Sequence, residues 1–160
     1  MNDGQIDQAM ELFRERYTAI GKFENTPAPG MLTLCQHLHE QGYQLALASS
    51  KPEEMCRDIC EKFGFTAYLD VVAGAPLSEH STKAEVIMDA LSRLGVQGNC
   101  LDTVLMVGDR KFDVLGAKDC GIHSVGVEFF GYADENELMD AGALAVFDTA
   151  EAVEQWILEH

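Results

Sequence analysis

Apolar residues recur at Ile6, Met10, Phe13, Tyr17 and Ile20, at intervals of 4, 3, 4 and 3. That spacing paints one stripe down a helix running from Asp3 to Gly21. The stretch ENTPAPG (24–30) then breaks the pattern with two prolines and a glycine, which marks a linker or boundary. The division expected from this is a separate helical segment over 1–24 and a core domain over 25–160.

Beyond the linker the period switches back and forth. Met31 to Gln41 reads as a helix stopped by Gly42, and YQLALASS (43–50) as a buried strand. Pro52 to Phe63 reads as a helix with proline in its first turn and Gly64 past its end. YLDVVAG (68–74) is a strand. Thr82 to Leu94 is a helix, opened by Thr82 with Glu85 as a capping box and closed by Gly95. TVLMVG (103–108) is a strand, Asp113 to Cys120 a helix, HSVGVE (123–128) a strand and ALAVFD (143–148) a last strand. A final helix covers Asp148 to His160, with Asp148 and Glu151 spaced for a second capping box. Short apolar strands alternating with helices imply an α/β fold, a parallel sheet with helices on both faces in three layers. Such sheets bind ligands at the carboxyl ends of their strands, so the chemistry should be sought there.

Three strand ends are polar. Ser49, Ser50 and Lys51 close the first strand just before a helix N-terminus, a combination that suits a phosphate and equally suits a plain helix cap. Asp109 follows four apolar residues and Gly108, where hard-cation binding competes with a turn role. Asp113 stands where a helix N-cap would. Lys83 lies in the first turn of its helix, where a cation opposes the macrodipole; alone it reads as a solvated lysine unless an anion lies close by.

Charge narrows the partners. The chain carries 11 basic and 27 acidic side chains, a net −16. That field repels nucleic acid and anionic membranes, and any phosphate site within it must be locally positive. No apolar run reaches the ~20 residues of a membrane span and no signal pattern opens the chain, so a cytoplasmic protein is expected. The five cysteines are scattered, with no Cys or His pair placed to complete a zinc site, and read as free thiols.

Taken together, ALASSKP, STKAEVI, VLMVGDRKFDVLGAKDCGI and VGVEFFGYADENELMDAGA resemble the haloacid dehalogenase (HAD) superfamily, in its phosphoglycolate phosphatase-like branch. The resemblance runs over essentially the whole chain and implies a Rossmann-like core and a magnesium-dependent phosphatase of small phosphorylated metabolites. It implies that Ser49, Ser50 and Lys83 hold the substrate phosphate, with Ser49 and Lys83 catalytic. It implies that Asp109 and Asp113 hold Mg2+, Asp113 completing or orienting that end of the site. The family's nucleophile and general acid–base lie in an Asp-x-Asp-Gly-Thr motif at the end of its first strand. No Asp-x-Asp occurs in this sequence. The expectation is therefore a core lacking the first strand and most of the cap, residues 1–24 being the last cap helix, inactive by itself. The strands at 44–49 and 103–108 should flank a gap, which favours a homodimer or association, with the Ile6–Ile20 stripe as a contact. A non-catalytic binding or interaction module on the same fold is the alternative; a response-regulator-like acceptor domain fits poorly, lacking an N-terminal acidic pair.

Overall fold

The computed structural model describes residues 27–76, 81–96, 98–129 and 134–160. The helix expected over 3–21, its apolar stripe and the boundary at 24/25 lie outside the described residues. The described residues hold five strands and six helices: α1 (Met31–Glu40), β1 (Ala46–Pro52), α2 (Glu53–Phe63), β2 (Val71–Ala75), α3 (Lys83–Leu94) and β3 (Leu105–Gly108). After these come α4 (Lys111–Asp119), β4 (His123–Val127), α5 (Glu137–Ala141), β5 (Val146–Phe147) and α6 (Ala150–Glu159). Short 3₁₀ turns over Phe65–Ala67 and Gly98–Thr103 precede β2 and β3.

Local chemistry explains most of these limits. Glu85 N–H donates to Thr82 Oγ1 and Thr82 N–H donates to Glu85 Oε2, at 3.2 and 3.1 Å, so the capping box that opens α3 is present. At α6 the cap is Thr149 rather than Asp148: its hydroxyl accepts from the Ala152 amide at 3.2 Å. Pro52 closes β1 and caps α2 from outside, instead of occupying its first turn. α4 begins two residues before Asp113, which places that aspartate inside the first turn.

All pairing is parallel. β1 lies beside β2, and β4 lies between β3 and β5. The five strands do not form one sheet, however: β1–β2 and β3–β4–β5 are separate among the described residues, and β1 does not pair with β3. Burial reflects the division. β4 is buried from Ser124 to Val127, while β1 has no fully buried residue and β3 only Gly108. In a continuous parallel sheet the central strands would be the most buried.

Helices cover both faces. Leu34 and Leu38 of α1, Val127 of β4 and Ala150 and Val153 of α6 share one core, against which Val107 of β3 packs. The neighbouring Met106 points the other way, into a core of Ile87 and Leu91 from α3, Ala117 from α4 and Ile122. Ala48 of β1 touches that second core as well as the Val71, Ala73, Val86 and Ala90 cluster, so α3 bridges the two sheets. Fully buried side chains such as Val125, Val153 and Leu138 each contribute up to about 1.5–3 kcal/mol. Among the described residues no helix is long and apolar enough to cross a membrane.

Candidate active site

A cavity of about 290 Å³ opens at the carboxyl ends of the two facing strands. Leu47, Ala48 and Ser49 of β1 line it, as do Met106 to Asp109 from β3 and the loop after it, Lys83 of α3 and Asp113 of α4. Of the residues singled out in the sequence, Ser49, Lys83, Asp109 and Asp113 meet in this cavity; Ser50 does not line it and is exposed.

Lys83 holds the centre. Its Nζ donates to the Ala48 carbonyl at 2.9 Å and pairs with Asp113 Oδ1 at 2.8 Å. The two side chains are only 15% and 10% exposed. A cation in the first turn of a helix opposes the macrodipole, and a buried one needs an anion. Asp113 is that anion, and it sits thirty positions along the chain. One ammonium thus ties an atom of the first sheet to a helix of the second.

Asp113 is committed on both oxygens. While Oδ1 faces Lys83, Oδ2 accepts from the Asp109 and Arg110 amides at 3.1 and 3.2 Å, satisfying donors that lead into α4. The fit requires glycine before it. A Cβ on Gly108 would lie 2.2 Å from Asp113 Cβ, a separation no side chain tolerates.

Asp109 stands at the exposed rim. Its carboxyl is held above the usual carboxylate range, first by partial desolvation and then by the negative charge of Asp113. Two carboxylates drawn together, with Lys83 the one lysine among the described residues that line the cavity, leave a local excess of negative charge that a cation would neutralise. As a direct ligand Asp109 fits Mg2+, which is commonly bound through one or two carboxylates with water and phosphate oxygens completing the shell. Asp113, with both oxygens engaged, fits an orienting role. Among the described residues no group of three or more His, Cys, Asp or Glu is placed to hold a metal.

Ser49 sits in an irregularity of β1, where the register slips between Ala48 and Pro52. Its Oγ accepts from the Lys51 amide at 3.2 Å, and the Cys56 thiol lies behind the same turn. That thiol donates to the Lys51 carbonyl at 3.7 Å and is pushed up by burial, which keeps it neutral. The α2 N-terminus next to it carries Glu53 and Glu54, acids that compete with an incoming anion; Glu53 is offset by Arg93, paired at 2.6 Å, and Arg57, at 3.3 Å.

Sequence reasoning passed over Glu137. Its Oε1 accepts from the Lys111 amide at 2.9 Å and from Arg110 Nε at 3.3 Å, and its Oε2 from the Asp134 amide at 3.0 Å. Those donors, the Lys111 amide foremost, hold its carboxyl down to about 2. The pattern Asp134-x-x-Glu137 has capping-box spacing and was the signal available.

The profile of the haloacid dehalogenase-like hydrolases matches residues 2–127. The chain belongs to the haloacid dehalogenase-like hydrolase family. A 5'-nucleotidase of Pseudomonas aeruginosa is 33% identical over 131 residues, 82% of this chain and 58% of that protein. A phosphoglycolate phosphatase of Rhodospirillum rubrum is 35% identical over 130 residues, 81% of this chain and 52% of that protein. The chain thus spans between half and three fifths of the length of these two relatives. The crystal structure of a Clostridium acetobutylicum protein, described as a predicted phosphatase, superposes with a TM-score of 0.89 at 31% identity. That match covers 100% of this chain and 73% of the other.

Proposed function

We propose that this chain carries the phosphate- and magnesium-handling part of a phosphatase site for small phosphate monoesters. The observation that carries the reading is Lys83, whose buried ammonium joins Ala48 to Asp113 in the cavity that Ser49 and Asp109 also line. Similarity to a 5'-nucleotidase and to a phosphoglycolate phosphatase supports a small phosphorylated metabolite as substrate, with phosphoglycolate and nucleotides both within the class.

Each residue then has a role its chemistry allows. The Ser49 hydroxyl, whose oxygen already accepts from the Lys51 amide, still has its own proton to donate to a phosphate oxygen. Lys83 places a positive charge beside that oxygen and is kept from drifting by Asp113. Asp109 would hold Mg2+, which when bound supplies charge neutralisation for a transferring phosphoryl group. Asp113 fixes the turn that presents Asp109.

The nucleophile is the open part of the site. Phosphoryl transfer through an aspartyl-phosphate needs a carboxylate in line with phosphorus, and no Asp-x-Asp pair occurs in these 160 residues. Asp109 is a poor substitute, because a carboxylate engaged with magnesium cannot also reach phosphorus in line. By this reading the 160 residues bind phosphate and do not turn it over, which is also what a non-catalytic binding module would do. Hydrolysis of p-nitrophenyl phosphate with magnesium tests it: no turnover above background is expected. Turnover that disappears in Lys83→Ala would overturn it and reveal a nucleophile among these residues.

A further inference from the structure

The turn that leads from β3 into α4 is held from two sides. On the cavity side, Asp113 accepts the Asp109 and Arg110 amides and is itself fixed by Lys83. On the far side the next amide, that of Lys111, goes to Glu137, and the same carboxylate takes Arg110 Nε. Three consecutive backbone donors are therefore divided between two carboxylates, one of them from a different element. The Glu137 side chain is 8% exposed, unusually closed for a glutamate at the start of a five-residue helix.

That short helix has its own anchor. Leu138 is 1% exposed and rests on Gly126 of β4, where an added Cβ would meet Leu138 Cδ1 at 2.6 Å. A rigid chain of contacts thus runs from the centre of the second sheet through Leu138 and Glu137 to the backbone at Arg110 and Lys111.

We infer that Glu137 is a positioning residue: it fixes the Asp109–Lys111 turn from outside the cavity and so sets where the Asp109 carboxylate stands. Its part in metal affinity rests on the reading of Asp109 as a magnesium ligand; its part in ordering the turn does not. Residues that orient a ligand from behind typically change metal affinity about 10–100-fold when removed.

Two readouts on the folded 160-residue chain test this with Glu137→Ala and Glu137→Gln. Hydrogen exchange followed by NMR should speed up roughly tenfold or more at the Asp109, Arg110 and Lys111 amides in Glu137→Ala, with Val125 and Val127 of β4 unchanged, because only the local hold is lost. Magnesium titration should give about tenfold weaker binding in both variants at an unchanged urea midpoint for Glu137→Gln. Exchange at those three amides within twofold of the wild type would overturn the inference, as would acceleration spread equally through β4, which marks a merely structural residue. If Asp109→Asn leaves magnesium affinity unchanged, the metal reading fails on its own and the exchange result still decides the role of Glu137.

Discussion

Replacing Lys83 by methionine removes the cation that the described residues bring to the cavity while keeping most of the apolar stem. Three things change in the folded state. The 2.8 Å pair with Asp113 is lost, the Ala48 carbonyl loses its 2.9 Å donor, and a carboxylate only 10% exposed is left without its counter-charge. Removing one partner of a buried pair costs about 3–5 kcal/mol when nothing else compensates. Here Oδ2 of Asp113 keeps the amides of Asp109 and Arg110. Retained charge-assisted bonds bring the expected loss to about 2–3 kcal/mol, a large part of the ~5–15 kcal/mol that holds a domain together. With a urea slope of about 2 kcal/mol/M, the midpoint should fall by about 1–1.5 M. Asp113→Asn alone should cost a comparable amount, because it strands the ammonium instead. The double variant should lose less than the sum of the two, by about 1–2 kcal/mol, as contacting residues do. A midpoint within about 0.2 M of wild type for Lys83→Met, or strict additivity in the cycle, would refute the claim that this pair joins the two sheets.

Asp109→Asn should stabilise the chain at neutral pH, since the folded state holds that carboxyl above its ordinary range. The folded state then binds the extra proton, so wild-type stability falls as pH rises from about 3.9 through the raised value, and the variant's advantage should appear over that window and vanish below it. Urea midpoints between pH 4 and pH 8 check this, and a variant less stable at pH 7 would contradict it. Gly108→Ala sets a Cβ 2.2 Å from Asp113 Cβ, both fixed to backbone, and should cost at least ~1–3 kcal/mol with loss of magnesium binding; an unchanged midpoint would show that α4 gives way freely. Among the described residues β1 and β3 each pair on one side only, so light scattering should show a dimer or concentration-dependent association; a monomer at every concentration would mean that both edges are shielded.

How much of this was legible depends on how local the cause is. The α3 capping box, the Gly64 and Gly95 stops and the parallel α/β alternation follow from neighbours in sequence, and the structure has them. α5 was missed because five residues carry too little period to read, and its first residue matters through Arg110 and Lys111, 26 or more positions away. The last strand shrinks from the six residues ALAVFD to Val146–Phe147, because it pairs with β4 over only two positions. The strand before α2 sits later than its apolar run, ending at Pro52 rather than Ser50, because the slip between Ala48 and Pro52 adds residues to β1 before Pro52 pairs with Ala75 at the end of β2. Within the site, residue types at strand ends pointed to Ser49, Lys83, Asp109 and Asp113, which the fold brings to one cavity. What no local pattern showed was the pairing: Lys83 reads as a surface lysine until Asp113 is placed against it.

The central claim is that Ser49, Lys83 and Asp109 form one magnesium-dependent phosphate site. The most direct measurement is phosphorus NMR of inorganic phosphate titrated with the chain, with and without magnesium, for the wild type, Ser49→Ala and Asp109→Asn. The account predicts broadening of the phosphate line that requires magnesium, weakens in Ser49→Ala and disappears in Asp109→Asn. A line left sharp by the wild-type chain with magnesium present, or broadened equally by Asp109→Asn, would contradict it.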